Sequence, residues 1–593
     1  PIYNFNPLAS IKALGRNSTH DRTLQANFQL KERLDFLVEG LYLSEAMSLS
    51  SWTRDGASNT RNYSRWLDGV QQTTDNDTPY TRGEDSGQNQ WTWQHNATVG
   101  YDGTFGRHVV SASAGILYNI YKTDFSQNGA AGKMVEYRHM TVNGAVNYAY
   151  DDRYVATFSF AADGSDNYRP GNRWGFYPSL GLGWIVSRER FLRDSRMVDL
   201  LKLRASVGKN GWDPMGEMRY LWEGYYTGRG GLNTGNSEHT WHGGTALSYL
   251  PNPDVFAEKS LKYDAGIDLR LWNRLSLNVD LFLEKRSGIV TQDWMIPGAS
   301  GVDNPPYRNI GRMTNKGFEV QLSWADRIGD FNYALTGMAS YNSNKVDYMA
   351  EVVTVPTAAR TGRRLDALFG YVADGFYDWD DFDVGGELRE GLPKPTFGAV
   401  QPGDIKYKNL NGDTVIDEND QTAIGDSYLP KLQYSFSLAA SYKGFDLFAL
   451  FQGAAGRDVN LLDAPLQNIA FRDNGNVYGI AEGRWAYYPE QGIDTRATAI
   501  YPRLSLQDNS NNYRNSTLWK RSGDFLKLRN VELGYTFAQP SLSKAGISKI
   551  RIYLSGVNLL TVSRLMRDYD IDPEILSGHP ALKSYNLGLT VTF

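Results

Sequence analysis

The chain has 593 residues, no cysteine, and a net charge of −5 from 61 basic and 66 acidic side chains. This length exceeds one ordinary domain of about 100–200 residues, so it predicts a large barrel or an array. The lack of cysteine excludes disulfide scaffolds, thiolate catalysis and iron–sulfur clusters, and the mild acidity argues against a nucleic-acid partner. The 59 glycines, 37 tyrosines and 15 tryptophans favour β-structure over helix.

Hydropathy alone does not separate a soluble chain from a membrane barrel here. Mean hydropathy is −0.47, and no apolar run approaches the roughly 18 residues that a spanning helix needs. A membrane barrel has a similar average, because its strands alternate apolar and polar residues.

Apolar and polar residues alternate along several segments, which predicts antiparallel strands. In chain order the clearest are 263–271 and 275–283 with a turn at Trp272-Asn273, 318–324, 431–443 and 444–453 with a turn at Lys443-Gly444, 525–537, and 585–593. The alternation changes phase near Asn530. This change predicts either a β-bulge or a stretch where the strand rises above the membrane.

The polar faces of these strands carry charges, including Asp264, Asp268, Arg270, Asp280 and Glu284. The opposite faces are aliphatic, with Tyr or Trp near the strand ends. This pattern favours lipid outside and water inside over a half-buried soluble sheet. We therefore predict an all-β fold, a large antiparallel transmembrane β-barrel.

Long segments rich in Gly, Trp and Tyr separate the hairpins, near 45–90, 209–258, 286–312, 343–430 and 454–520. Membrane barrels have short turns at one end and long loops at the outer end. We expect these segments to be extracellular loops that carry function.

A series of motifs runs in order along nearly the whole chain. They are NPLA at 6–9, DGSDNYRPGNRWGFYPSLGLGW at 163–184, LLKLRASVGKNG at 200–211, TNKGFEVQL at 314–322, PGDIKYKNLNGDTVIDENDQTAIGD at 402–426, YKGFDLFALFQGAAGRD at 442–458, FLKLRNVELGYTF at 525–537, RIYLSGVNLLTVS at 551–563 and DPE at 572–574. With the terminal Phe593, they make the chain resemble the C-terminal part of a SusC-like TonB-dependent outer-membrane transporter, of the SusC/RagA family of the Bacteroidota.

The resemblance implies a barrel that family members close with about 22 strands, of which we expect most but not all in residues 1–593. The signal peptide, regulatory-like domain, TonB box, plug and first strands of the family are not among these residues. It also implies a SusD-like surface lipoprotein as a lid, energy from TonB–ExbB–ExbD through the N-terminal part, and a glycan or peptide substrate. The outer-membrane insertion machinery would recognise the terminal Phe593.

The segment NLNGDTVIDEND has the spacing of a calcium loop. Asn409, Asn411, Asp413, Asp417 and Asp420 fall at its first, third, fifth, ninth and twelfth positions, and the carbonyl of Val415 is placed to add a ligand. The loop departs from that pattern in its first residue, which is Asn, and in Thr414, which stands where the loop needs Gly. A structural Ca²⁺ and an Asx-rich turn without an ion both remain open.

The loop around 212–242 is rich in aromatic residues. They are Trp212, Tyr220, Trp222, Tyr225, Tyr226 and Trp241. Flat rings with polar tips suit sugar faces or peptide side chains, so these residues are candidate ligand contacts. Packing of the loop's own core, or of a partner protein, is the alternative.

Enzyme signatures are absent from the sequence, which has no Gly-x-Ser-x-Gly elbow, His-Glu-x-x-His motif, Walker loop or dinucleotide fingerprint. We therefore expect no catalysis. The predicted function is TonB-dependent import of oligosaccharides or peptides across the outer membrane. A SusC-like scaffold within a larger outer-membrane machine is the alternative, and an open diffusion pore is a third reading.

Overall fold

A computed structural model of the chain describes residues 7–73, 76–79, 81–82, 87–123, 135–213, 219–224, 226–234, 240–302, 304–353, 355–463, 479–506, 509–538, 546–579 and 581–593. Within these residues the protein is nearly all β-structure, which confirms the predicted fold class. Two α-helices are described, α1 (Pro7–Ala13) and α2 (Arg564–Tyr569). No helix in the described ranges is long and apolar enough to cross a membrane.

The strands vary from two to 22 residues in length. As far as residue 292 they are β1 (Asn17–Arg33), β2 (Leu41–Ser58), β3 (Arg61–Asn62), β4 (Arg65–Leu67), β5 (Val70–Thr73), β6 (Asn76–Asp77), β7 (Thr81–Arg82), β8 (Gln88–Phe105), β9 (His108–Thr123), β10 (Val135–Tyr150), β11 (Tyr154–Ser165), β12 (Trp174–Ile185), β13 (Val198–Trp212), β14 (Tyr226–Thr234), β15 (Thr240–Leu247), β16 (Glu258–Leu271) and β17 (Leu275–Gln292).

After residue 292 the chain has long strands and, within the segments that connect them, short strands. They are β18 (Tyr307–Ile328), β19 (Phe331–Tyr348), β20 (Leu368–Gly370), β21 (Ala373–Phe376), β22 (Lys394–Pro395), β23 (Ile405–Tyr407), β24 (Val415–Ile416), β25 (Thr422–Gly425), β26 (Leu432–Tyr442), β27 (Phe445–Ala455), β28 (Asp458–Asn460), β29 (Tyr487–Tyr488), β30 (Ile493–Asp494), β31 (Lys520–Ser522), β32 (Phe525–Phe537), β33 (Lys549–Ser563) and β34 (Ser584–Thr592).

Two compact units make up the chain. The first unit comprises Pro1–Gly183, Ser206–Lys262 and Arg286–Gly311, and the second unit comprises Trp184–Ala205, Tyr263–Lys285 and Arg312–Phe593. Each has its own run of neighbouring antiparallel strands and its own buried loop core.

The first unit contains the antiparallel series β1–β2–β8–β9–β10–β11. Tight turns join β8 to β9 and β10 to β11. Gly106 in one turn and Asp151 and Asp152 in the other have positive φ angles of 61°, 52° and 51°. Gly and Asp accept this left-handed conformation at low cost, which is why these residues end the strands.

The second unit contains the antiparallel series β18–β19–β26–β27–β32–β33–β34. The predicted turn at Lys443-Gly444 is confirmed, with φ angles of 45° and 92°, and so is the turn at Trp272-Asn273, with 53° at both residues. Short turns with positive φ match the twist of antiparallel strands.

The predicted change of phase near Asn530 is a β-bulge. Leu528 and Asn530 face the adjacent residues Phe451 and Leu450 of β27, so Arg529 is the extra residue. The register against β33 shifts at the same place. One additional residue reverses the faces on which later side chains point, which explains the observed change in alternation.

The apolar strand faces are exposed. On β34 and the residue after it, the side chains of Tyr585, Leu587, Leu589 and Phe593 lie open, with Phe593 86% exposed. A continuous apolar surface of this kind is costly in water and favourable against lipid. β34 confirms the predicted strand over residues 585–593 as far as Thr592.

The segments between long strands differ from the predicted ranges near 45–90 and 286–312. β2 continues to Ser58, and β17 and β18 reach Gln292 and Tyr307. The prediction assumed strands of about 9–11 residues, the length that crosses a bilayer, whereas these strands have 18, 18 and 22. The predicted ranges 209–258, 343–430 and 454–520 differ by only a few residues from the segments that separate consecutive long strands. The extracellular position of all five loops stays a prediction.

Candidate ligand-binding surfaces

The predicted aromatic residues divide into two groups. Tyr220 and Trp222 lie in the loop after β13 and touch each other edge to face, with 6.3 Å between ring centroids. Trp222 Nε1 donates to the Asn167 carbonyl at 3.1 Å, and the Tyr220 amide donates to Asn167 Oδ1 at 2.9 Å. Both residues therefore pack the loop. Trp212, Tyr226 and Trp241 are 58%, 75% and 61% exposed; Tyr225 lies outside the described residues.

Arg219 fixes this loop, and no motif in the sequence pointed to it. Its side chain is almost fully buried, its Nη2 contacts Asp166 Oδ1 at 3.0 Å, and its Nη1 donates to the Glu136 carbonyl at 2.6 Å. The guanidinium lies 3.5 Å from the ring centre of Tyr137 and 4.3 Å from that of Tyr220. A cation between two rings and a carboxylate is held strongly when water is excluded.

A polar cavity of about 400 Å³ lies on one face of the second unit, and the Arg204 side chain belongs to its wall. Arg204 Nη2 donates to Asp280 Oδ2 at 2.6 Å, its Nε lies 3.4 Å from Asp268 Oδ2, and its Nη1 lies 3.5 Å from Asp264 Oδ1. A Cβ on Gly266 would lie 2.5 Å from the guanidinium carbon. Gly266 therefore provides the space in which this cation meets three carboxylates.

Another cavity, of about 360 Å³, lies in the first unit. Strand register places Gln94 opposite Asn119 and Asn119 opposite His139. In the next row Leu117 is opposite Thr141, which is opposite Asp163. These side chains share one face because paired residues of neighbouring strands point the same way.

Asp213, the residue after β13, reaches the same cavity. His139 Nε2 lies 3.4 Å from Asp213 Oδ2, and His139 Nδ1 lies 3.9 Å from Asp163 Oδ2. Asp213 also accepts hydrogen bonds from Ser165 Oγ, Asn167 Nδ2 and Tyr168 Oη. Trp212 completes the lining.

Tyr168 belongs to the buried loop core of the first unit. That core contains Tyr168, Leu221, Tyr249, Val255 and Val290. Burial, followed by the nearby Asp213 carboxylate, raises the pKa of the Tyr168 hydroxyl above its ordinary value. The neutral hydroxyl therefore stays a donor to Asp213, at 2.8 Å.

The loop core of the second unit surrounds a buried carboxylate. Asp404 has no exposed surface; Arg503 Nε lies 2.7 Å from its Oδ1, and Asn509 and Asn512 donate to it at 3.0 and 2.9 Å. The apolar part of this core consists of Tyr371, Ile405, Tyr407, Ile416, Val459, Leu461, Tyr501, Trp519, Leu565 and Ile571. Burial, the largest cause, raises the pKa of Tyr501 to about 12.

The DPE motif is held to β32 by a buried ion cluster. Lys527 Nζ lies 2.7 Å from both Asp572 Oδ1 and Glu574 Oε2, and Arg529 pairs with Glu574. Burial opposes ionisation of both carboxyl groups, but hydrogen bonds and the two cations outweigh it. The pKa values of Asp572 and Glu574 are therefore below their ordinary values.

In the predicted calcium loop, side-chain oxygens accept hydrogen bonds from within the loop. Asn409 Oδ1 accepts from Gly412 N at 2.6 Å, and Asp413 Oδ1 accepts from Val415 N at 2.8 Å. Asp420 accepts from Leu410 N and Asp417 N, at 2.7 and 2.9 Å.

The sharp turn of this loop is at Gly412, with φ 78°, rather than at Thr414. Asn411 Nδ2 donates to Asp413 Oδ2, and Asp417 Oδ1 accepts from Asn419 N. In the described part of the chain no group of three or more His, Asp or Glu side chains is arranged to hold a metal ion. This arrangement is an Asx-turn network, and calcium binding stays a prediction.

Comparison with known proteins identifies the class. The family model described as TonB-dependent receptor-like, β-barrel, matches residues 2–559. The chain belongs to this family. It is 26% identical over 554 residues to the TonB-dependent receptor P3 of Formosa agariphila, covering 83% of this chain and 51% of that protein. It is also 26% identical over 486 residues to the TonB-dependent receptor SusC of Bacteroides thetaiotaomicron, covering 76% and 43%.

The solved structures with the same fold include the RagAB peptide importer in its open-open state. The TM-score is 0.72 at 19% identity, over 99% of this chain and 62% of that chain. The chain spans about half the length of the curated relatives it matches. The chain is therefore an outer-membrane β-barrel of the TonB-dependent receptor family, which confirms the predicted class and location, and it is similar to SusC.

Proposed function

We propose that the chain forms the wall of an outer-membrane importer that takes up oligosaccharides or peptides, uses TonB for energy, and is closed by a SusD-like lipoprotein lid. Family membership supports the transporter class. The similarity to a curated SusC, and the shared fold with a peptide importer, support a nutrient substrate. The proposal assigns no catalytic step to the chain.

The observation that carries the proposal is the loop core of the second unit. Segments 349–431 and 456–524 contribute to one buried core, through Ile405 and Ile416 from the first segment and Val459 and Trp519 from the second. The Asp404 network ties the two segments together. Loops built in this way form a fixed platform, and a lid that opens and closes needs such a platform on its partner.

Apolar side chains remain exposed on this platform. Among them are Val352, Val384, Leu429, Ile500 and Leu506. Exposed apolar groups gain free energy when a partner covers them. We expect the lid lipoprotein to cover part of this surface.

The test measures both partner binding and uptake in cells that carry a tagged chain. Val384→Asp should reduce the amount of lid lipoprotein that co-purifies, and should reduce uptake of a fluorescein-labelled oligosaccharide or peptide. Val70→Asp is the matched control, because Val70 is an equally apolar exposed residue on a hairpin of the first unit. An uncoupler that removes the proton gradient should abolish uptake.

The alternatives give different results in the same strains. A scaffold would leave uptake of both labelled substrates unchanged when the gene is deleted, while a larger membrane complex falls apart. An open pore would show steady ion conductance in planar bilayers and uptake that the uncoupler does not affect.

A further inference from the structure

The cavity around His139 in the first unit has more hydrogen-bond acceptors than the chain itself satisfies. Its polar lining consists of Gln94, Asn119, His139, Thr141, Asp163 and Asp213. Asn119 Oδ1 is buried and accepts no hydrogen bond within the described residues. A buried acceptor left in this state costs free energy, and a ligand donor would recover that cost.

The charge of the cavity is negative in either protonation state of His139. Two carboxylates, Asp163 and Asp213, face one imidazole, so the sum is −2 or −1. Asp213 already accepts three hydrogen bonds and is almost fully buried. Asp163 accepts one from Thr141 Oγ1, at 2.5 Å, and is about one-third exposed. Asp163 is therefore the carboxylate that a ligand can reach.

Trp212 adds an exposed aromatic ring beside these acceptors. It is the last residue of β13 and one of the predicted aromatic ligand contacts. An indole face attracts ammonium and guanidinium groups, and it does so most strongly where water is partly excluded. An anionic group is disfavoured here, because His139, the one basic side chain among the described lining residues, lies between two carboxylates.

We propose that this cavity is a subsite for a basic side chain of an imported peptide, with Asp163 as the counter-ion, Trp212 as the aromatic face and Asn119 as an additional acceptor. The inference rests on the proposed import function and names the substrate class. A neutral sugar ring would use the same aromatic face and acceptors without needing the negative charge. A binding experiment that varies only the charge of the ligand therefore distinguishes a basic peptide from a neutral sugar.

The test uses the complete protein purified in detergent and three probes: a labelled triarginine amide, the matched tricitrulline amide, and maltotriose as competitor. Citrulline has the shape of arginine without its charge. Triarginine amide should bind at least about tenfold more tightly than tricitrulline amide, and maltotriose should not displace it. Equal affinity for the two peptides, or displacement by maltotriose, would overturn the assignment.

Two variants and one control locate the site. Asp163→Asn should weaken triarginine binding by about tenfold to a hundredfold, and Trp212→Ala by about threefold to thirtyfold. Trp241→Ala is the control, because Trp241 is equally exposed but lies on the β14–β15 hairpin, away from the cavity lining. An equal loss in Trp241→Ala, or no loss in either variant, contradicts the proposal.

Folding of each variant is checked by the migration of unheated protein on a denaturing gel, where folded and unfolded barrels separate. Asp163→Asn retains the size of the side chain, so the binding result stays interpretable if Trp212→Ala assembles poorly. Binding without TonB-dependent uptake would contradict the import function alone. Uptake of neutral substrates without triarginine binding would contradict the subsite alone.

Discussion

The two polar cavities differ in how their charged side chains are paired. In the second unit Arg204 lies among Asp264, Asp268 and Asp280, and its guanidinium occupies the space above Gly266. In the first unit His139 lies between two carboxylates, but the space beside them stays open. The first arrangement is a closed cluster in the sense that Arg204 pairs with all three carboxylates, although a cavity remains beside it. The second is an open cavity, because the acceptor Asn119 Oδ1 has no donor within the described residues.

This difference distinguishes charged side chains that stabilise the fold from polar side chains that are available to bind a ligand. A cation whose donors are all used by fixed carboxylates holds strands in register, and removing it leaves like charges together. A buried acceptor without a donor destabilises the fold and is available to bind. Substitutions in closed clusters should therefore reduce stability, and substitutions in the open cavity should reduce binding.

The largest effect is expected in the most buried closed cluster, at Lys527. Lys527→Met would leave Asp572 and Glu574 with only Arg529 as a cation, so we expect the free energy of unfolding to fall by about 3–5 kcal/mol. Urea titration of the purified barrel, followed by the gel migration of unheated samples, measures the change. Lys549→Met is the control and should be nearly neutral, because Lys549 is exposed at the start of β33. A stability equal to that of the parent chain would mean that Lys527 is not needed to compensate the charges of Asp572 and Glu574.

The same cluster predicts an acid-sensitive stability. The folded-state pKa values of Asp572 and Glu574 are lowered from 3.8 and 4.5, so the folded chain binds fewer protons than the unfolded chain near these values. The stabilisation is complete above the ordinary values and is lost as the pH falls through the lowered ones. The urea midpoint of the parent should therefore decline below about pH 4.5, and that of Lys527→Met should decline less. Parallel declines would contradict this assignment.

A smaller loss of stability is expected at Gly266, because the Arg204 cluster occupies the space beside this glycine. Gly266→Ala would place a methyl group 2.5 Å from the guanidinium carbon of Arg204, so the side chain must move from its three carboxylates. We expect a loss of about 1–3 kcal/mol in the free energy of unfolding. Gly337→Ala on β19 is the matched control, since a Cβ at this position would have no atom within 4 Å. Similar losses in both variants would show that backbone flexibility, rather than Arg204, is the cause.

Local features of the fold were predictable, because they depend on neighbouring residues. The alternation of 585–593, the turn at Lys443-Gly444 and the change of phase next to Asn530 all appear in the order of the side chains, although only the structure shows that the change of phase is a bulge. The cavities were not predictable, because they depend on strand register. Arg204 and Asp280 are 76 residues apart in the chain, and nothing in either segment shows that they meet.

The candidate site shows the same limit. The sequence singled out Trp212 by its residue type, but it could not separate this exposed ring from Tyr220 and Trp222, which pack the loop. That separation depends on Arg219 and Asn167, whose contacts join the loop to distant residues of β10 and of the segment after β11. Asp163 was part of a recognised motif, yet nothing in the motif shows that it lines the same cavity as Trp212.

The smallest effect is expected in the 409–420 loop, where the charges are already used by the chain. Asp413 accepts from the Val415 amide, and Asn at this position retains that acceptor, so Asp413→Asn should shift the Tm by about 1 °C or less. Asp383→Asn is the matched control, because Asp383 accepts from Gly385 N and Glu387 N in a similar turn without calcium spacing. Excess calcium chloride should leave the Tm of the parent chain unchanged relative to EDTA. A calcium-dependent rise that Asp413→Asn abolishes and Asp383→Asn retains would instead establish an ion site, and would place this loop with the open cavity as a region that binds.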